Sequence, residues 1–224
     1  ALAYPHVMLL VSGGHTCLVH RTDVRAWTVL GQTIDDAAGE ALDKGARLMG
    51  LGYPGGPEIQ REGEGGNPAA VRFPRGVAQP GAGGWALPFT YSGLKTSLLY
   101  HLKKHPEETS PGRRRDLAAS YQEAVVDTLI TQLGKALRAY PACMIGCGGG
   151  VARNRRLRER LADEAARRGI PLRVAEPAFC ADNAAMIAAA AQACYQPVCP
   201  GGCGFEVDPN LSVGASLPVA AAAG

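Results

Sequence analysis

The stretch Leu10-Val11-Ser12-Gly13-Gly14-His15-Thr16 decides the fold. Val7 to Val11 is a short apolar run, Ser12-Gly13-Gly14 interrupts it, and Thr16 to His20 reads as a second strand. Strand, glycine break and strand together predict a β-hairpin. Two glycines lack Cβ and tolerate positive φ, so backbone N–H groups at the tip can point together at an anion. The flanking Ser12 and Thr16 hydroxyls add donors. The stretch reads as a phosphate-gripping hairpin or as an ordinary tight turn, because Gly-Gly hairpins are common.

A chain of 224 residues accommodates one large domain or two small ones. With 46% hydrophobic and 19% charged residues it has the composition of a globular protein with a real core, and the net charge of +3 neither demands nor excludes a nucleic-acid partner. The seven cysteines form no CxxC pair and no framework spacing. Cys17, Cys143, Cys147 and Cys180 lie in or beside apolar runs, as buried free thiols of a reducing compartment would. Cys199 and Cys203 form the one close pair, in a Pro/Gly turn with only Cys194 nearby, a poor start for a metal site. No apolar stretch is long enough to span a bilayer and no basic segment precedes the first strand, so the expectation is a cytoplasmic protein without membrane contact. A chain that opens at Ala1, a few residues before a core strand, has the look of one cut from something longer.

Outward from the hairpin, Ala26 to Leu30 is a third strand candidate. Thr33 is a plausible N-cap for a helix carrying Asp35 and Asp36 in its first turn, with Ile34, Ala38, Ala41, Leu42, Ala46 and Met49 at helical spacing and Gly50 and Gly52 ending it. Asp43 borders that apolar stripe, from where a carboxylate either reaches a cleft or is simply solvated. Residues 53–88 read as a Gly/Pro-rich loop segment outside the core. A helix follows to about His105, then a long amphipathic one marked by Leu117, Tyr121, Val125, Leu129 and Leu133. Met144 to Cys147 is a buried strand leading through Gly148-Gly149-Gly150 into a helix ending near Arg168, Leu172 to Ala175 is another strand, and Asp182 to Tyr195 is an Ala-rich helix. Strands and helices mixed in this way, with glycine turns where they meet, predict an α/β fold. One domain over 1–217 and a frayed tail over 218–224 complete the expected organisation.

The glycine triplet sits where a nucleotide loop would, but it completes neither a dinucleotide fingerprint nor a Walker A sequence. Asn154 beyond it is a two-way hydrogen-bonding group. Seven arginines, Arg153, Arg155, Arg156, Arg158, Arg160, Arg167 and Arg168, face Glu159, Asp163 and Glu164 at spacings that allow Arg155–Glu159, Arg160–Glu164 and Glu164–Arg168 pairs. A salt-bridged surface helix competes there with an RNA-phosphate contact. His101 and His105 have the i,i+4 spacing of paired metal ligands, yet on a cationic helix end beside Pro106 they read as a solvated terminus. Asp182 reads as an N-cap or as a rim carboxylate open to a metal.

In family order and at family-like separations, the stretches LVSGGHT, IDDAAGEALDKGARLMGLGYPGGP, YSGLKT, ASYQEAVVDTL, GGGVARNRRLR and FCADNAAMIA resemble the tRNA threonylcarbamoyladenosine synthase family, of TsaD type, within the actin-like ATPase superfamily. The resemblance covers nearly the whole chain. It implies an actin-like (ribonuclease H-like) α/β domain, one of the two halves of the family fold. It also implies transfer of a threonylcarbamoyl group from its adenylate to the adenosine beside the anticodon of tRNAs reading codons that begin with A. By the same resemblance Leu10, Val11, Ser12, Gly13 and Gly14 form the hairpin that binds threonylcarbamoyl-AMP or ATP/ADP. Asp43 contacts that ligand at the ribose, Gly56 and Asn154 line it, and Asp182 ligates one divalent iron or zinc. The implied partners are tRNA, a paralogous actin-like subunit (TsaB type) and a small ATPase subunit (TsaE type).

Gln60 stands where some members carry an acidic contact, Gly148 extends the usual Gly-Gly, and Arg153 replaces a small residue. The family's His-x3-His ligands precede the hairpin, so the chain resembles the second, C-terminal half, with the N-terminal domain absent, and is expected to be inactive alone. One carboxylate is a poor metal site where three protein ligands are usual. Two other readings stand beside this one: a non-catalytic actin-like scaffold docking a paralogue, and a small-molecule kinase of the same superfamily. No HExxH supports the family's older metalloprotease label.

Overall fold

The computed structural model describes residues 3–110 and 112–194. Cys199, Cys203 and the tail expected to fray lie outside the described residues, as does the far end of the domain placed at 217. Five strands form one sheet in the order β3-β2-β1-β4-β5: β1 (His6–Val11), β2 (Thr16–Arg21), β3 (Trp27–Gln32), β4 (Ile145–Gly148) and β5 (Leu172–Val174). β1 pairs antiparallel with β2, Val11 opposite Thr16, and β2 pairs antiparallel with β3. β4 runs parallel to β1, and β5 parallel to β4. This is a mixed α/β fold with a central mixed sheet and helices around it, of actin-like ATPase or Rossmann-like architecture.

The residues explain the arrangement. β1 and β2 are buried almost throughout, as near-continuous apolar strands covered on both faces must be. The outer edge of β3 is covered because Leu87 and Phe89 donate their N–H groups to the Leu30 and Gln32 carbonyls, at 3.0 and 3.1 Å. Helix α4 (Arg115–Ala139) forms the centre of the core, with Tyr121, Leu129 and Leu133 wholly buried. The Tyr121 hydroxyl donates to the Ala41 carbonyl of α1 (Ala38–Leu48) at 2.9 Å, which satisfies the one polar atom this ring takes inside. Helix α3 spans Ser92–Lys104, α5 spans Arg155–Arg168 and α6 spans Ala184–Cys194. No helix among the described residues is long and apolar enough to cross a membrane.

Three expectations are corrected. The first helix begins at Ala38, not near Thr33. Asp35 is drawn away to the start of α3, where it accepts from the Tyr91 N–H at 2.7 Å and from the Thr90 hydroxyl, while Asp36 pairs with Lys44 at 2.5 Å. The segment 53–88 is no mere loop: it holds α2 (Gly55–Glu62) and sends Ile59 and Phe73, 0% and 2% exposed, into the core. Cys143 is exposed, whereas Cys17, Cys147 and Cys180 are buried free thiols.

Candidate functional site

The three parallel strands end on one edge of the sheet, the edge where open α/β sheets bind ligands. The hairpin tip follows β1, Gly149 follows β4, and the stretch carrying Asp182 follows β5. Leu10 and Val11 are the last residues of β1, Val11 buried and Leu10 half-buried beneath the tip. The tip closes through Ser12: its N–H donates to the His15 carbonyl at 2.8 Å, and its hydroxyl accepts from the His15 N–H at 3.0 Å. Gly13 and Gly14 are exposed, and a Cβ on either would meet nothing within 4 Å. Neither has positive φ, so they are not there to permit a left-handed turn. Their effect is to leave the backbone at the tip bare.

The tip is held against the start of α1. The Thr16 hydroxyl accepts from the buried Ala38 N–H at 2.8 Å, and the Gly39 N–H donates to the Ser12 carbonyl at 3.1 Å. Two of the orphan donors of the helix N-terminus are therefore consumed by the hairpin itself. The approach is so close that a Cβ on Gly39 would stand 2.6 Å from the Ser12 oxygen and 2.8 Å from Gly13 Cα. On the other side, Gly149 takes φ +96° and a Cβ there would lie 2.3 Å from the Val11 oxygen. The hairpin base is thus wedged between two glycines.

One helical turn beyond Gly39, Asp43 accepts from the Gly55 N–H at 2.7 Å and so caps α2. Glycine at 55 is required for this, since a Cβ would come within 2.6 Å of Asp43 Cα. Gly56 is different: a Cβ there would meet only Leu42 Cδ1, at 3.6 Å. Farther along α2, the Gln60 side-chain Oε1 accepts from the Arg155 N–H at 2.7 Å, which ties α2 to the turn bearing Asn154. Asn154, 9% exposed, caps α5 by accepting from the Leu157 N–H at 3.0 Å and donates to Gln122 at 2.8 Å. The structure thus assembles the hairpin tip, Asp43, Gly56 and Asn154 around one framework of α1, α2 and the turn after β4. Gln60 belongs to that framework as a tie between helices.

Asp182 takes part in none of these contacts. It is exposed, and it does not cap α6, because Asn183 accepts from the Met186 N–H at 2.9 Å. No pair of other His, Cys, Asp or Glu groups joins it as a possible metal set among the described residues. One exposed carboxylate does not fit a catalytic metal centre. The described residues do contain a cluster able to hold a cation, His105, Glu107 and Glu108, beyond α3.

The arginine-rich helix is mostly tied down. Arg156 and Arg160 converge on the buried Glu123 of α4, and Arg160 also reaches Asp127 at 2.7 Å instead of Glu164. Glu164, 2% exposed, pairs with Arg167 and Arg168, and Arg155 lies 3.8 Å from Glu159. A groove of about 700 Å³ lined by Arg72, Phe73, Arg75, Glu123, Asp127 and Arg160 opens over this network, with no hairpin residue in its lining. Among the acids of the site region, Asp35 stays below the usual carboxylate value. Burial pushes it up, but the Thr90 hydroxyl, the Tyr91 N–H and Ser92 together outweigh that.

Sequence reasoning missed Thr16 as the cap of α1, and Gly39, Gly55 and Gly149 as close-packing positions. A helix start placed too early hid the first two. The other two lie in glycine runs that pattern alone does not resolve.

An α/β domain of actin-like or Rossmann-like architecture, with its open loops at the carboxyl ends of parallel strands, is the class these features define. The chain belongs to the TsaD family, described as tRNA N6-adenosine threonylcarbamoyltransferase, whose pattern matches residues 1–189. It is 48% identical over 190 residues to the protein of that name from Magnetococcus marinus, covering 85% of this chain and 53% of that one. It is 49% identical to the Kosmotoga olearia protein of the same name over 84% of this chain and 54% of that one. With the Clostridium beijerinckii protein, also of that name, it shares 42% identity over 94% of this chain and 61% of that one. The chain spans about half the length of the curated relatives it matches.

Proposed function

We propose that this chain is the C-terminal portion of a tRNA adenosine threonylcarbamoyltransferase and that it supplies the adenylate-binding wall of the active site. The observation that carries the reading is the seating of the Ser12–Gly14 tip on the start of α1, with Asp43 one turn away. Bare backbone N–H groups at the tip suit a phosphate, or the oxygen that gains charge as the carbamoyl carbonyl is attacked. The second oxygen of the Asp43 carboxylate suits a ribose hydroxyl, and Gly56 leaves a face open beside it. Asn154 acts through the turn after β4: its Oδ1 caps α5, one Nδ2 hydrogen goes to Gln122, and the second amide hydrogen is left for a ligand.

Acyl transfer to a weak amine needs more than this wall. Asp182, read as one ligand of the family's iron or zinc, requires companions from outside the described residues, so the chain alone binds the adenylate and does not transfer. The tRNA, the TsaB-type paralogue and the TsaE-type ATPase are the partners of the assembled enzyme on this reading. The experiment is equilibrium binding of threonylcarbamoyl-AMP or ATP to the purified chain, alongside transfer to a tRNA that reads codons beginning with A. Binding that is lost in a Ser12–Gly14 deletion, with no transfer, supports the proposal. Transfer by the chain alone overturns the division of labour, and binding indifferent to the tip overturns the site.

A further inference from the structure

The end of α3 carries chemistry that the proposed transferase site does not use. His101 and His105 lie one turn apart on one face, and the chain then turns sharply at Pro106 into a short 3-10 segment, Pro106–Thr109. That turn brings Glu107 and Glu108 back onto the imidazoles. His101 Nε2 is 2.8 Å from Glu108 Oε2, and His105 Nδ1 is 3.6 Å from Glu107 Oε1. One ligand atom each from His105, Glu107 and Glu108 falls within 4.8 Å of the others. Ligand atoms around a tetrahedral zinc sit ~3.3 Å apart, from bond lengths of ~2.0–2.1 Å, so small side-chain rotations close this set on one ion. The Phe73 and His101 rings meet edge to face, with centroids 6.1 Å apart and an interplanar angle of 66°.

We propose that His105, Glu107 and Glu108 form a binding site for a divalent cation of the zinc class, with His101 as the positioning residue that orients Glu108. One neutral imidazole and two carboxylates neutralise a dication, and the remaining coordination position is open to water. The neighbouring Lys103 and Lys104 extend from the same helix end, and Lys103 is drawn over the Tyr100 ring instead of the carboxylates. The site is separate from the transferase reading and stands or falls without it.

The test is competition between the full chain and a chromophoric chelator for zinc, followed by cobalt substitution read by visible absorption. The expected result is one zinc per chain, weakened at least ~10-fold by His105→Ala and by Glu107→Gln. His101→Ala should cost ~10-fold, as expected for loss of an orienting partner. Circular dichroism should be unchanged in His105→Ala and Glu107→Gln, whose side chains are 47% and 49% exposed. Cobalt should give visible bands without thiolate charge transfer. Zinc binding that survives His105→Ala, binding lost instead in Asp182→Asn, a thiolate band in the cobalt spectrum, or no stoichiometric zinc binding each overturns the proposal.

Discussion

Replacing Gly39 by Ala tests the seating of the hairpin directly. The new Cβ would stand 2.6 Å from the Ser12 oxygen, 2.8 Å from Gly13 Cα and 2.9 Å from Gly13 N, all backbone atoms, while ordinary contact begins at 3.4 Å. The tip must therefore retreat by about 0.8 Å, and no side-chain rotation can absorb that. Overpacking of this kind costs about 1–3 kcal/mol. The strained Gly39 N–H bond to Ser12 adds up to about 1 kcal/mol. Against this stands a gain of at most about 1 kcal/mol from better helix propensity. The steric cost wins by about 1–3 kcal/mol, a fall in Tm of about 2–12 °C, and adenylate binding should weaken at least ~10-fold because the tip has moved. Gly134→Ala in α4 is the matched control: its Cβ would meet nothing nearer than 3.6 Å, so it should be neutral or stabilising. Scanning calorimetry and equilibrium binding read both. A Gly39→Ala protein as stable as Gly134→Ala, with binding intact, would refute the argument.

Four further outcomes are expected. Thr16→Val leaves the buried Ala38 N–H without its 2.8 Å acceptor and should cost about 1–3 kcal/mol in chemical denaturation. Asn154→Asp keeps the acceptor that caps α5 but not the donor to Gln122, so its Tm should stay nearer wild type than that of Asn154→Ala, while adenylate affinity should fall in both. Because the folded Asp35 carboxyl lies below its ordinary 3.8, the stability it contributes is complete above that pH and is lost as pH falls further. Acid titration of Asp35→Asn should accordingly show a shallower loss below pH about 4 than wild type. Peptide mapping after brief alkylation should label Cys143 ahead of Cys17, Cys147 and Cys180, with burial pushing the Cys17 thiol up to about 11 and Cys147 to about 12.

The α/β class, the hairpin and the long core helix were legible because each is written in local periodicity: two apolar strands around a glycine break, and Leu117 to Leu133 at helical spacing. The start of α1 was not, because Asp35 and Asp36 look like first-turn acids, and only the fold reveals that Asp35 serves α3 from 56 residues away. Nor was α2, whose single fully buried apolar anchor, Ile59, is too sparse a stripe to signal a helix behind Tyr53-Pro54-Gly55-Gly56.

The deeper difficulty concerns what a glycine is for. In the sequence, Gly13 and Gly14 draw attention as residues able to take positive φ, and the structure asks neither for it. Gly39, inside an unremarkable Ala-Ala-Gly-Glu run, and Gly55, first of a pair, are the positions where a methyl group would strike backbone. Local pattern reports what a residue's own φ/ψ must be, whereas proximity depends on a partner brought by the fold, here the Ser12 carbonyl and the Asp43 backbone. Two kinds of glycine therefore meet at the candidate site, the closely packed and the bare. Gly39, Gly55 and Gly149 fix how closely its backbone segments approach, and their loss should damage folding and binding together. Gly13, Gly14 and Gly56 have little or nothing against them, so alanine there should leave Tm near wild type and weaken only the ligand that the open backbone receives.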